Sequence, residues 1–403
     1  MALRKFFFWL HLVAGLVAGL VIAVMCFTGV TLAFETEITA WAERDVRRVE
    51  PPSAASPRLP LDELIARARK SADTEARASG VTVSADPRDA VAVNLGRDAG
   101  VYYVNPYTGE VRSAATTRTH DFLHLMEEWH RFLARSGDRR PLGKAVTGAC
   151  NLAFLFLALS DLYLWWPRAW TARWVRPALW FNGSRGTARD WNWHNVVGFW
   201  SLPVLIVLTA SGAVIGYRWA GDLVYLLAGE TPPVASQSPA PAAYVIERPE
   251  GASKLTYADA LARIQTAFPD WSTLTLREGL PQRRGGPMPT PTAPPGSGAQ
   301  PAAKRPTGPQ PYSATLRESG LWYPAASTQL VIHPFTGEFL QRDGYADQTP
   351  GRQARLWLRY LHTGQALGWL GQLIAALACA GGLILTYTGF ALSWRQFLTR
   401  KPK

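Results

Sequence analysis

Four stretches of this 403-residue chain, at 6–34, 146–166, 196–217 and 367–394, are almost continuously apolar. Each is long enough to supply the roughly 20 helical residues that cross about 30 Å of hydrocarbon, so the chain is expected to be a membrane α-helical protein with four transmembrane helices. The first stretch is too long for the core of a signal peptide and has no convincing small-residue cleavage site before Glu35, so it is expected to be retained, and His11 with it.

Orientation follows from the Arg and Lys residues near the helix ends. Arg4 and Lys5 precede the first stretch; Arg168, Arg173, Arg176, Arg185 and Arg189 lie between the second and third; Arg395, Arg400, Lys401 and Lys403 follow the fourth. All three regions fall on one face, expected to be cytoplasmic, and this predicts a multi-pass protein of the bacterial inner membrane with both termini in the cytoplasm. Trp9, Trp165, Trp166, Trp191, Trp193, Trp369 and Trp394 suit the aromatic belts of the two interfaces.

The expected division is a first membrane helix (1–34), an exported module (35–141), a second helix (142–167), a cytoplasmic loop (168–190), a third helix (191–217), a second exported module (218–356), a fourth helix (357–394) and a cytoplasmic tail (395–403). The formal charge of +12 comes largely from the three cytoplasmic clusters, and no nucleic-acid-binding motif accompanies it, so nucleic acid is not an expected partner. Cys26, Cys150 and Cys379 all lie in or beside apolar stretches. The exported modules therefore have no disulfide framework.

The two halves resemble each other. Leu10-His11-Leu12-Val13-Ala14-Gly15 corresponds without a gap to Trp193-His194-Asn195-Val196-Val197-Gly198, and Thr28-Gly29 to Ser211-Gly212. Leu142-Gly143 matches Leu370-Gly371, and the exit Leu159-Ser160-Asp161-Leu162 to Trp166 matches Tyr387-Thr388-Gly389-Phe390 to Trp394. Between the helices, each half has a helix-like stretch (61–78 and 256–268), short strands and a Pro-aromatic-Thr-Gly turn, at Asn105-Pro106-Tyr107-Thr108-Gly109 and His333-Pro334-Phe335-Thr336-Gly337. This predicts two parallel tandem repeats, each of helix, small α+β module and helix, related by an axis along the membrane normal. The second module also carries 281–311, a run of Pro, Gly, Ala and Gln that cannot bury a core and is expected to be a disordered insert. Deleting residues 285–310 is expected to leave expression and cofactor content unchanged, because loop length has only a logarithmic entropic cost; loss of either would show a structural role for the run.

Symmetry sharpens the reading of four of the seven histidines. His11 and His194 would meet at one depth near the cytoplasmic side, as axial ligation of one haem by two neutral imidazoles requires. His130 precedes the second helix and His362 the fourth, offset by about one helical turn that the extra segment 136–140 can absorb, and they would form a second pair on the outer side. Without Cys-x-x-Cys-His, such haems would be b-type, held through histidine alone. His124 is an alternative outer ligand; it lies about 240° around a helix from His130, so the two cannot face one iron, and His130 is the stronger candidate. His120 and His124 at i, i+4 could clamp a metal or simply face solvent. His333 stands where its partner module has Asn105, which argues for a turn role. Gly15 and Gly19 either pack helices closely or leave room for a porphyrin face.

These motifs, with Trp129-His130-Arg131-Phe132-Leu133, Leu162-Tyr163-Leu164-Trp165-Trp166-Pro167-Arg168 and Leu361-His362-Thr363-Gly364-Gln365-Ala366-Leu367-Gly368, resemble those of the PepSY-associated transmembrane proteins, which include bacterial inner-membrane ferric-siderophore reductases. The resemblance covers nearly all of the chain except the Pro-rich run. It implies PepSY-like exported modules, two haem b groups on His11/His194 and His130/His362, and transfer of electrons from the cytoplasmic side to a periplasmic ferric siderophore. One departure is Asp161, where the pattern has Gly; a carboxylate there either reaches the cytoplasmic interface or serves a proton or haem propionate.

No nucleotide-binding fingerprint occurs in the cytoplasmic loops, so the electron donor is expected to be a quinol or a cytoplasmic reductase. Three rival functions stay open: a haem-containing electron-transfer partner of another periplasmic protein, a non-redox sensor or peptidase regulator, and a permease, for which the helices offer little polar path.

Overall fold

The computed structural model of the protein describes residues 2–398 apart from 54–55, 76–77, 97–98, 114–116, 167–170, 234–243, 245, 281–308 and 320–326. The Pro-rich run 281–311 lies almost wholly outside the described residues, as do Arg168, Arg400, Lys401 and Lys403.

The chain opens with the long helix α1 (Ala2–Leu32), the short α2 (Glu35–Ala42) and α3 (Arg44–Arg47), and then α4 (Leu61–Ser71). Strands β1 (Gly80–Ser84), β2 (Val91–Asn94), β3 (Val101–Val104) and β4 (Val111–Ser113) follow, and α5 (Thr117–Phe132) turns back into α6 (Arg140–Trp165). After α7 (Ala172–Leu179) come α8 (Gly186–Gly216), α9 (Arg218–Leu227) and α10 (Tyr257–Ala267), strands β5 (Trp271–Glu278), β6 (Tyr312–Glu318), β7 (Ser327–Ile332) and β8 (Phe339–Asp343), then α11 (Pro350–His362) and α12 (Gly368–Leu398).

Four helical stretches are long and apolar enough to cross a membrane: Ala2–Leu32, Gly137–Trp165, Gly186–Gly216 and Gln365–Phe397. They extend beyond the apolar stretches; α8 begins at Gly186, well before residue 196. Hydropathy reports only the part of a helix in hydrocarbon, whereas polar residues continue the same helix through the interface. Trp9, Trp166, Trp191, Trp193, Trp369 and Trp394 are exposed near the ends of these stretches.

The strands from both halves form one eight-stranded antiparallel sheet in the order β4-β3-β2-β1-β5-β6-β7-β8. Its centre is the β1–β5 pair, with Val81 opposite Leu276 and Val83 opposite Leu274, and the facing hydroxyls of Thr82 and Thr275 hydrogen-bond at 2.9 Å. Alternate residues of these strands point to a common core, where Val81, Val93, Val104, Leu274, Leu276, Leu316 and Leu330 are fully buried. The apolar stripes of α4 (Leu61, Leu64, Ile65, Ala68) and α10 (Ala260, Ile264) cover it. Each fully buried Leu or Ile contributes about 1.5–3 kcal/mol to holding these layers together.

α4 ends at Ser71, short of the expected residue 78. Asp73 adopts a φ of 48°, a left-handed conformation that a helix cannot continue through. In the turn between β3 and β4, Asn105 Oδ1 accepts from the amides of Tyr107 and Thr108; in the turn between β7 and β8, His333 Nδ1 accepts from those of Phe335 and Thr336. The imidazole thus does the work of an Asx turn, and Gly109 and Gly337 supply the positive φ of 73° that follows.

Between α2 and α3, Glu43 is buried, its side chain 2% exposed. It accepts from Arg47 at 2.5 Å, from the Tyr103 hydroxyl at 2.8 Å and from His120 Nε2 at 2.6 Å. This cluster joins the start of the exported region to the sheet and to α5. Burial opposes the charge on Glu43, but the bonds from His120, Tyr103 and Arg47 outweigh it and hold the carboxyl below its ordinary pKa. Because the folded pKa is depressed, this stabilisation is complete above the unfolded carboxyl's pKa and is lost as pH falls through the folded one. Glu43→Gln is therefore expected to lower stability by about 1–3 kcal/mol at neutral pH and to flatten the acid side of a Tm-against-pH curve; an unchanged curve would remove this role.

Candidate functional site

His130 lies in the last turn of α5, and His362 is the last residue of α11. α5 packs against α1 and α6, and α11 against α8, so the two imidazoles meet beside the membrane helices at the sheet end of the bundle. Their ring centroids are 6.3 Å apart with planes at 62°. Two imidazoles bound to one iron from opposite sides, with metal–nitrogen bonds of about 2.0–2.1 Å and about 1.1 Å from nitrogen to ring centre, would stand about 6.3 Å apart. The separation of this pair matches that spacing.

At the end of the bundle that carries both termini, His11 of α1 and His194 of α8 come together with Asp161 of α6. One ligand atom from each lies within 4.8 Å of the other two. They border a cavity of about 990 Å³ that reaches from Arg4 and Lys5 to Ile22 and Gly382.

The hydrogen bonds of the four imidazoles follow one pattern, and it fixes their protonation. His130 Nδ1 lies 3.0 Å from the Met25 carbonyl and 2.9 Å from Thr28 Oγ1; His362 Nδ1 lies 2.9 Å from the Leu208 carbonyl and 3.2 Å from Ser211 Oγ. A carbonyl only accepts, so both Nδ1 atoms carry the proton. His11 Nδ1 meets Ser160 Oγ and His194 Nδ1 meets Thr388 Oγ1, each at 2.8 Å. Those hydroxyls donate to the carbonyls of Leu157 and Ile384, so they accept from the rings. All four histidines are therefore held as Nδ1–H tautomers. Among the described residues none bonds their Nε2 atoms, which are left as metal-ligating lone pairs, with the second partner that ligating histidines characteristically have.

The sequence shows Thr28, Ser160, Ser211 and Thr388 as matching positions, each a turn of pattern shared between the halves, without revealing that they orient the imidazoles. The signal was the hydroxyl-Gly pair itself. Glycine follows three of these hydroxyls, and a Cβ added at Gly29, Gly212 or Gly389 would stand 3.7, 3.2 or 3.7 Å from Cε1 of the imidazole beside it. The glycines let the backbone of these helices approach three of the rings closely.

Other candidates fall away from both pairs. His124 is exposed and His120 is bonded to Glu43, so the two do not form a clamp, and His333 is held in its turn. Gly19 packs so closely on α12 that a Cβ would lie 2.9 Å from Phe390, whereas at Gly15 the nearest atom, of Leu157, would be 3.9 Å away; both glycines line the cavity, and only Gly19 is also a close packing contact.

No curated protein matches this sequence. A family profile described as the PepSY-associated TM region matches residues 8–396. That span takes in most or all of each of the four long apolar helices, the sheet and both histidine pairs, and the chain belongs to this family.

Proposed function

We propose that the protein is a haem b-dependent oxidoreductase of the bacterial inner membrane, with cytoplasmic termini and PepSY-like periplasmic modules, that passes electrons from the cytoplasmic side to a periplasmic ferric siderophore. The observation that carries this reading is the outer pair: His130 and His362 face each other at 6.3 Å between ring centroids, with both Nδ1–H groups held by backbone carbonyls.

A haem bound between these rings supplies reversible one-electron chemistry. The chain's own residues do the rest. The Met25 and Leu208 carbonyls fix the tautomer and raise the basicity of Nε2. Gly29 and Gly212 let the backbones of α1 and α8 pack closely beside the rings, and the low polarity of that packing tunes the potential. His11 and His194 form a second centre near the termini, where the family resemblance implies a second haem and where a quinol or a cytoplasmic reductase would deliver electrons. The acceptor is chosen for its chemistry: one electron converts Fe(III) to Fe(II), which hard siderophore oxygens hold far less tightly, so iron is released.

Dithionite-reduced, detergent-purified protein should be reoxidised by a ferric hydroxamate siderophore, with Fe(II) captured by a chromogenic chelator. Reduced protein that ignores ferric siderophores of every class but reduces a periplasmic redox protein would identify an electron-transfer partner instead. A protein without haem would leave the sensor or peptidase-regulator reading.

A further inference from the structure

The inner pair differs from the outer pair at one position. Glycine follows the orienting hydroxyl at Gly29, Gly212 and Gly389, but Asp161 follows Ser160. One of its carboxylate oxygens and a ring nitrogen of each of His11 and His194 all lie within 4.8 Å of one another, and Oδ2 is 2.9 Å from where a Cβ on Gly198 would stand. Two axial nitrogens on one iron are about 4 Å apart. An oxygen within 4.8 Å of both would stand within about 4.4 Å of an ion held between them.

The charge also needs a partner. Among the described residues Asp161 has no ion pair or hydrogen bond. Of the cations that line the cavity, the Arg4 guanidinium donates to the Leu164 carbonyl and Arg395 pairs with Asp190 at 2.7 Å, while Lys5 also lines it. An unpaired carboxylate among membrane helices is costly and marks function.

We infer that His11, Asp161 and His194 bind a divalent first-row transition-metal ion directly, at the place where the resemblance implies a second haem. Two imidazoles and one carboxylate are a ligand set that such ions accept. Ligands sharing an ion at about 2.0–2.2 Å lie about 3–4 Å apart, so contraction from within 4.8 Å needs only small side-chain rotations. The ligands come from three helices, α1, α6 and α8, and Ser160 and Thr388 fix the tautomers of both imidazoles. The remaining coordination positions face the 990 Å³ cavity, where water or a small donor can reach the ion. This inference sharpens the inner centre of the proposed function and stands independently of haem at the outer pair.

The test uses full-length protein in detergent. Metal analysis, after subtraction of haem iron counted as the pyridine haemochrome, should give about one first-row metal ion per chain. After chelation and refilling with Co(II), wild type should show the visible ligand-field bands of a histidine-carboxylate site; Asp161→Gly and His11→Ala should lack them, with outer-haem absorption unchanged as the control for folding. Two haems per wild-type chain with no further metal, or a Co(II) spectrum unaltered by Asp161→Gly, would overturn the inference. A colourless protein that still shows the Co(II) spectrum would support it while refuting the haem reading.

Discussion

Alanine at His130 or at His362 is expected to strip the outer haem, lowering its absorbance at least tenfold, because each substitution removes one of two axial ligands and leaves an open position in a buried site. The two variants should behave alike although the residues are 232 positions apart in sequence and lie on different helices. His124→Ala is the matched control, since that side chain is exposed and should leave the spectrum intact. Far-UV circular dichroism separates ligand loss from misfolding: the helical signal should persist in all three. Haem retained in both His130→Ala and His362→Ala would disprove the assignment, and loss in His124→Ala alone would move the outer ligand by six residues.

The second large effect is an asymmetry between the two centres. His362→Ala should abolish reoxidation of dithionite-reduced protein by a ferric siderophore, since the outer pair is the exit. His11→Ala should leave that chemically driven reaction nearly unchanged and yet prevent siderophore-iron release in cells, because only the inner centre lies on the side of the physiological donor. A misfolded variant would lose both activities, so the split carries the information. Equal loss in both assays for His11→Ala would contradict the assignment of entry and exit.

Much of this architecture is legible in the sequence because its signals are local. Twenty apolar residues in a row define a membrane helix without knowledge of its neighbours, and His11 and His194, Thr28 and Ser211 can be matched by counting. The join between β1 and β5 is not legible. Alternation in 80–84 and 271–278 shows that each strand has a buried face, but the pairing of Thr82 with Thr275 depends on two segments 193 residues apart, and side-chain period does not name a partner. The end of α4 is obscured for a different reason: residues 72–78 are rich in helix formers, while the left-handed Asp73 closes the helix through local bonds from the Asp73 and Thr74 amides to the Lys70 and Arg69 carbonyls. At the histidines, spacing identifies the pairs but not the tautomers, which depend on carbonyls and hydroxyls of other helices. Asp161 is visible in the sequence as a departure from the glycine at its matching positions. That its carboxylate comes within 4.8 Å of a ring nitrogen of His11 and of His194 emerges only when α1, α6 and α8 are packed.

Low-temperature electron paramagnetic resonance of the oxidised, detergent-purified protein tests the central claim most directly. Ligation by His130 and His362 predicts a low-spin ferric haem signal of the bis-histidine type, lost in both alanine variants and preserved in His124→Ala. A wild-type protein with no haem, or with only a high-spin ferric signal from a single axial ligand, would contradict it.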